Sequence, residues 1–221
     1  MNPFTSQVER RALISLEKRG KLESLAGDQV LQPDIDAGVV LLQERLDVPF
    51  QALGTESDNT LTWLWAWADE QPEIPEARLR SARELRSWLE RSGFDTLTRS
   101  SLDLDKADGT LLAIVATEVC RASAFYRDSY EGGALIILLW SPEIDRQPGF
   151  DRAGLVRALR DLVERYDLDP RALLTSYFEG RGLPHALSAN VLNAQLETGE
   201  RLIAEFDDAG RLLTLNGDPL F

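Results

Sequence analysis

The sequence is poor in the residues on which most enzyme and metal chemistry depends. It contains one cysteine, Cys120, and one histidine, His185. A single cysteine excludes an intramolecular disulfide and favours a reducing compartment. A Ser-His-Asp or Cys-His arrangement would have to use His185, which lies in a loop-like stretch with no serine at a recognised spacing. We therefore expect no catalytic residue, no metal site and no bound cofactor.

Phosphate-binding and calcium-binding motifs are missing as well. The chain has no G-x-x-x-x-G-K-[ST] loop, no G-x-G-x-x-G turn after a strand and no G-x-S-x-G elbow. The acidic stretch from Asp103 to Gly109 is only superficially similar to a calcium loop. It has Asp108 where such a loop needs glycine and Ile114 where it needs glutamate. We interpret it as a linker, with Asp108 near the start of a helix.

Long apolar runs and positive charge are scarce. The longest apolar stretch, Ala134–Trp140, is far shorter than the ~20 residues that a membrane helix needs, and the N-terminus does not resemble a signal peptide. Asp and Glu number 37 against 24 Lys and Arg, which gives a formal net charge of −13. Such a surface repels nucleic-acid phosphates and anionic lipid headgroups. The sequence thus predicts a cytoplasmic protein that binds neither nucleic acid nor a membrane.

The apolar residues that are present predict an α+β fold, in which helices cover an antiparallel sheet. Short β-prone runs over 28–68, separated by turn residues, predict a meander of three or four strands. The continuous apolar run 134–140 predicts a central strand that is buried on both faces. Covering helices are predicted over 5–25, 75–92 and 107–126.

A second section follows the segment 143–150, which Pro142, Pro148 and Gly149 mark as the best candidate boundary. Two helices are predicted there, the first capped by Asp151. The alternating tail from Val191 predicts a small antiparallel unit joined by hairpin turns. We therefore divide the chain into an α+β core domain, 1–142, and a C-terminal section of helices and β-hairpins, 143–221. That section either packs on the same core or forms a subdomain.

Three of the five tryptophans lie in the segment Leu61–Asp69. Because strand side chains alternate between the two faces, Trp63, Trp65 and Trp67 are predicted to share one face, with leucine and alanine on the other. Two apolar faces indicate a central strand. The tryptophans then either form a core ladder beneath the covering helices or offer an aromatic platform to a sugar, a base or a peptide side chain.

The tryptophan segment and its surroundings resemble an uncharacterised bacterial family, a domain of unknown function of about this length. The resemblance rests on Leu53–Ser57 (LGTES), Thr62–Asp69 (TWLWAWAD), Asp34–Gly38 and Ala124–Arg127, and it covers about residues 5–140. It implies an intracellular α+β domain, and it brings no catalytic residues.

The scarcity of cysteine and histidine, the missing phosphate-binding motifs and the tryptophan-rich sheet favour a non-enzymatic module that binds a protein or a peptide. Its candidate partner platform is formed by Trp63, Trp65 and Trp67. The alternative is a small-molecule-binding protein or a carboxylate-dependent hydrolase, which would need a deep pocket holding two close carboxylates with raised pKa values. A self-associating structural protein is a third hypothesis. The sequence alone does not determine the oligomeric state.

Overall fold

The computed structural model describes residues 3–68, 74–106 and 108–219. The chain divides into two units, which we call the core unit (Lys18–Gln147) and the terminal unit (Met1–Glu17 together with Pro148–Phe221). The core unit contains a seven-stranded antiparallel sheet and the terminal unit a five-stranded one. Helices accompany both sheets, which confirms the predicted α+β class.

The helices and strands are bounded as follows. The helices are α1 (Pro3–Glu9), α2 (Ala12–Ala26), α3 (Arg80–Arg91), α4 (Gly109–Val119), α5 (Pro142–Asp145), α6 (Arg152–Arg165) and α7 (Pro170–Arg181). The strands are β1 (Pro33–Asp34), β2 (Val39–Leu42), β3 (Leu46–Ser57), β4 (Thr62–Trp65), β5 (Ser101–Asp103), β6 (Ala124–Tyr130), β7 (Gly133–Leu139), β8 (His185–Ser188), β9 (Val191–Gln195), β10 (Arg201–Phe206), β11 (Leu212–Leu215) and β12 (Asp218–Pro219).

The long strand β3 organises the sheet of the core unit. β2 pairs with its first residues, β4 pairs with its last residues, and β7 runs antiparallel along most of its length. β1 extends the sheet from β2, β5 extends it from β4, and β6 pairs with β7. Because β7 lies between β3 and β6, all of its residues are buried, which confirms the prediction of a central strand covered on both faces.

The helices of the core unit follow the predicted pattern, with corrections at the start of α3 and at the end of α4. The helix predicted over 75–92 begins at Arg80, after a separate 3-10 turn at Glu76–Arg78. Asp108 caps α4, because its carboxylate accepts a hydrogen bond from the Leu111 N–H at 2.8 Å. The helix predicted over 107–126 ends at Val119, and the residues from Ala124 onward form β6. The prediction was wrong there because the buried Ala124 and Phe125, which continue the apolar sequence, pair with β7 as the first residues of a strand.

The terminal unit combines α1, α6 and α7 with the sheet β8–β12. The Asp151 carboxylate caps α6 by accepting a hydrogen bond from the Gly154 N–H at 2.7 Å, as predicted. The predicted alternation is also confirmed, because β9 and β10 bury every second residue. The helix predicted over 5–25 is interrupted between α1 and α2, around Arg10. Among the described residues, no helix has both the length and the apolarity required to cross a bilayer.

Candidate functional site

The three tryptophans that are predicted to share a strand face separate after Trp65, where β4 ends. Trp63 and Trp65 extend from β4 into the core unit and are fully buried. Trp67 lies in the 3-10 turn Ala66–Ala68 and is half-buried. The prediction of one strand carrying all three is therefore wrong at Trp67, because strand alternation stops where the turn begins. The opposite face of β4 is not covered either, since Leu64 is exposed.

The tryptophan rings nevertheless form one packed cluster. The rings of Trp63 and Trp65 pack edge to face with their centroids 5.4 Å apart, and Trp65 stacks on Trp67 with a centroid separation of 6.1 Å. The indole N–H of Trp65 donates to the Leu97 carbonyl at 3.1 Å. The Arg86 guanidinium lies 4.3 Å from the centre of the Trp67 ring. Of the three candidate platform residues, only Trp67 therefore has surface available to a partner, and its ring already contacts an arginine.

A buried glutamate, Glu56, lies beside Trp63. Its carboxylate accepts hydrogen bonds from the Arg127 Nε–H at 3.0 Å and from the Gly109 backbone N–H at 2.7 Å. Gly109 is the first residue of α4, so the carboxylate binds at the positive end of that helix. A Cβ on Gly109 would lie 2.7 Å from the Trp63 ring, so the close packing requires glycine there. Glu56 therefore fixes the start of α4 and is engaged within the fold.

This cluster joins three of the segments that carry the family resemblance. Glu56 lies in Leu53–Ser57, Trp63 in Thr62–Asp69 and Arg127 in Ala124–Arg127. Segments that are distant in sequence meet here because β3 pairs with β4 on one edge and reaches β6 across β7 on the other. The cluster has a structural role, since it links the sheet to α4.

A second buried carboxylate, Glu17, lies in the terminal unit. It accepts hydrogen bonds from the Tyr177 hydroxyl at 2.6 Å and from the Phe150 N–H at 3.1 Å, and it forms an ion pair with Arg181 at 3.3 Å. Arg181 in turn pairs with Glu197. Burial, followed by the neighbouring Glu17 carboxylate, raises the pKa of the Tyr177 phenol, so Tyr177 remains a hydrogen-bond donor. These groups stabilise the unit from within.

The single cysteine and the single histidine are also in structural positions. Burial, and then the nearby Glu84 carboxylate, raises the pKa of the Cys120 thiol to about 12, so the nucleophilic thiolate is scarce at neutral pH. His185 begins β8 and does not lie in a loop; its Nδ1 is 3.0 Å from the Leu183 carbonyl oxygen. Among the residues described, no three His, Cys, Asp or Glu side chains are grouped so that they could hold a metal ion.

A small cleft opens in the core unit where the C-terminal turn of α2, the β2–β3 turn and α5 meet. Its volume is about 290 Å³. Three leucines supply its apolar lining, and an arginine, a glutamate and a glutamine supply the polar part. The lining residues are Leu25, Leu42, Gln43, Arg45, Leu46 and Glu143. We call this feature the leucine cleft; it combines an apolar surface with one charge of each sign.

The polar side of the leucine cleft is held in place by local hydrogen bonds. The Gln43 side chain donates to the Leu25 carbonyl at 2.7 Å and accepts from the Arg45 guanidinium at 2.9 Å. The Ser141 hydroxyl donates to the Glu143 carboxylate at 2.8 Å. Mainly because of this hydrogen bond, the pKa of Glu143 lies below its ordinary value, so Glu143 is anionic at neutral pH. The charges of Arg45 and Glu143 are therefore both present.

The backbone beside the leucine cleft has an uncommon conformation. Gln43 and Glu44 have φ values of +52° and +56°, in the left-handed region that usually favours glycine or asparagine. Sequence reasoning missed this turn because it contains no glycine, proline or asparagine. It also missed the cleft, because Leu25, Leu42 and Glu143 meet only through the fold.

Comparisons with known proteins place the chain in a family without supplying a function. No significant match was found among curated proteins or among solved structures. The model of a family of unknown function, DUF6882, matches residues 6–142, which is more than half of the chain. This match includes the tryptophan cluster and most of the leucine cleft, and it confirms the family resemblance expected from the sequence. The chain therefore belongs to the family of unknown function DUF6882.

Proposed function

We propose that this chain is a non-enzymatic module that binds a protein or a peptide, and that the leucine cleft receives an apolar side chain of that partner. The observation that carries the proposal is the lining of the cleft. Leu25 and Leu46 are half-buried and offer apolar surface beside the buried Leu42, while Arg45 and Glu143 offer opposite charges. Apolar anchors that insert into pockets with polar surroundings are the usual centres of protein interfaces.

The size of the cleft supports a side-chain anchor over a whole small molecule. A volume of about 290 Å³ lies at the lower limit of ligand pockets, which run from roughly 300 to 1,000 Å³. It suits one or two side chains of a peptide such as leucine, methionine or phenylalanine. The peptide groups on either side of the anchor can pair with Arg45 and Glu143, since a guanidinium donates hydrogen bonds and a carboxylate accepts them.

The titratable groups support a binding role over a hydrolytic one. A carboxylate-dependent hydrolase needs two close carboxylates with raised pKa values. The described lining of the leucine cleft contains a single carboxylate, Glu143, whose pKa is lowered. The buried Glu56 and Glu17 are bound to arginines and to backbone N–H groups of the fold.

The same proposal includes a cytoplasmic location. Cys120 is the single cysteine of the sequence, and it is a free, buried thiol. A chain that relies on no disulfide suits a reducing compartment. Localisation of a tagged full-length chain by cell fractionation tests this part of the proposal.

Peptide selection tests the binding role. A random-peptide phage library would be panned against the wild-type chain and against Leu46→Glu, which places a charge in the leucine cleft. We expect the selected peptides to share an apolar position, and synthetic copies to bind Leu46→Glu at least about tenfold more weakly, a difference of ~1.4 kcal/mol. The matched control is Leu64→Glu, because Leu64 is an exposed leucine on β4 and lies outside the cleft lining.

The control should bind the selected peptides with the affinity of the wild-type chain. Equal affinity of Leu46→Glu and the wild-type chain would contradict the proposal, as would a selection that enriches no common apolar position. Circular dichroism on each variant confirms that a loss of binding does not come from unfolding.

A further inference from the structure

The edge strand β8 of the terminal unit carries an inference beyond the proposed function. We propose that two copies of this chain associate by pairing their β8 strands antiparallel, about a two-fold axis at Ala186. β8 lies at one end of the five-stranded sheet, and β9 is the one strand of the described residues that pairs with it. The contact would join the two five-stranded sheets into one continuous sheet.

The backbone of β8 presents hydrogen-bonding groups along its open edge. In the β8–β9 hairpin, the Pro184 carbonyl accepts a hydrogen bond from the Gln195 N–H at 2.9 Å, and Ala186 lies opposite Asn193. Because antiparallel pairs alternate, Pro184, Ala186 and Ser188 direct their backbone groups toward β9. His185 and Leu187 therefore direct their N–H and C=O groups away from the sheet. No described strand pairs with these four groups, so they can bond to a further strand.

The four residues of β8 include no charged side chain, no proline and no bulge. Natural edge strands carry charges, prolines or bulges. Charged residues make up 28% of the chain, yet no Asp, Glu, Lys or Arg occurs between Arg181 and Glu197. Leu187 is 43% exposed. The edge strand β6, in contrast, has Arg127 and Asp128.

The absence of charged side chains along β8 favours the approach of a second copy of this chain there. Each copy carries a formal charge of −13, so most surfaces of one copy repel those of the other. The uncharged stretch from Gly182 to Leu196 avoids this repulsion at close range. A second β8 is also already extended, so it binds without the ordering cost that a disordered peptide would incur.

The two-fold axis fixes one register. His185 faces Leu187 of the second copy and Leu187 faces its His185, which forms four N–H···O=C hydrogen bonds across the contact. Ala186 then faces its own symmetry mate in a non-hydrogen-bonded pair, where Cα atoms are about 4.5 Å apart. Two methyl groups fit this close approach. The interface is isologous, as expected for a two-fold homodimer.

Site-specific crosslinking tests this register on the full-length chain. Ala186→Cys places two thiols across the axis, at a Cα separation that a disulfide can bridge. Cys120 does not interfere, because it is buried and its pKa is raised. Under mild oxidation we expect Ala186→Cys to form a covalent dimer at least about tenfold faster than Ile203→Cys. Ile203 is 40% exposed on β10 and serves as the matched control.

Sedimentation of the chain without added cysteines tests the association itself. The dimer fraction should rise with protein concentration and with salt, because salt screens the repulsion between two acidic chains. Leu187→Lys should abolish the dimer, whereas Leu213→Lys, at another exposed leucine, should leave it unchanged. Leu187→Pro removes an outward N–H without adding a charge and should act like Leu187→Lys.

Three results would overturn the proposal. The first is a chain that stays monomeric up to about millimolar concentration at high salt. The second is a dimer that survives both Leu187 variants while these keep the wild-type circular dichroism spectrum. The third is crosslinking of Ala186→Cys that is no faster than that of Ile203→Cys. The first result would show that the chain does not self-associate, and the other two would assign self-association to another surface.

Discussion

The buried carboxylates of this protein differ in what surrounds them. Glu56 and Glu17 each face an arginine, whereas Glu9 is surrounded by further acidic groups. Glu9 is 4% exposed and accepts a hydrogen bond from the Asp169 N–H at 2.9 Å. Burial raises the pKa of Glu9, and the carboxylates of Asp169 and Asp167 add to this effect, although the backbone hydrogen bond opposes it. An ionised Glu9 therefore destabilises the fold.

Removal of the Glu9 charge should therefore stabilise the folded chain in a pH-dependent way. The pKa of Glu9 is higher in the folded chain than in the unfolded chain, so the destabilisation is present above the folded pKa and vanishes below the unfolded one. Glu9→Gln keeps the acceptor for Asp169 and removes the charge. Urea unfolding should give Glu9→Gln a higher midpoint than the wild-type chain near pH 8. The difference should shrink as the pH falls through the raised pKa of the folded chain and vanish below the ordinary value of 4.5.

The matched control for this prediction is Glu23→Gln, because Glu23 is exposed and pairs with Arg19 on α2. Glu23→Gln should not raise the urea midpoint near pH 8, because the ionised form of an exposed carboxylate remains solvated in the folded chain. A Glu9→Gln variant that gains equally at both pH values would contradict the assignment, because a packing effect does not depend on the charge of Glu9.

At the scale of elements, the end of α4 contains a residue that is unusual for its position. Arg121 has a φ of +52°, and the Ala122 N–H donates to the Thr117 carbonyl at 2.8 Å, which closes the helix as glycine commonly does. The side chain of Arg121 is exposed, and its carbonyl accepts the Trp140 indole N–H at 3.0 Å. A substitution at Arg121 leaves that backbone bond in place.

Arg121→Gly should therefore stabilise the chain by about 0.5–1 kcal/mol, because glycine adopts the left-handed conformation without the cost that a Cβ imposes. The measurement is the free energy of urea unfolding. Arg99→Gly is the control, since Arg99 is an exposed arginine with a φ of −68°. It should be neutral or destabilising, because glycine there only adds freedom to the unfolded chain. A loss of stability in Arg121→Gly would contradict the argument.

Elements with local signals could be predicted from the sequence. The apolar run of β7 and the Asp151 cap of α6 are complete within a few residues, and both are observed. Elements that depend on distant partners could not. Trp67 leaves the strand because β4 ends at Trp65, and the residues after α4 form β6 because β7 offers them a partner.

The candidate site was less predictable than the fold. The tryptophans were visible in the sequence, yet their burial depends on how α3 and α4 pack on the sheet. The leucine cleft had no local signal, because Leu25, Leu42 and Glu143 come from separate elements. The open edge of β8 had one signal that could have been used, the absence of charge between Arg181 and Glu197.

At the scale of the whole molecule, the family match and the folded units have different boundaries. The match covers residues 6–142, whereas the core unit covers 18–147. Residues 6–17 belong to the terminal unit, and their apolar side chains include the buried Val8, Ala12 and Leu13. The matched segment also omits Ile144, which is fully buried in the core unit. A fragment cut at the boundaries of the match would therefore expose apolar surface and lack a core residue.

We accordingly expect the fragment 18–147 to be monomeric and to unfold cooperatively, and the fragment 6–142 to aggregate or to melt at a lower temperature. Losing Ile144 removes a fully buried side chain, which costs about 2–5 kcal/mol when such a residue is truncated. Light scattering after gel filtration and thermal unfolding by circular dichroism compare the two fragments. The fragment 6–147 separates the two causes, because it restores Ile144 and keeps the apolar residues of 6–17. Equal behaviour of 6–142 and 18–147 would show that the boundaries of the core unit are not those of an independently folding domain.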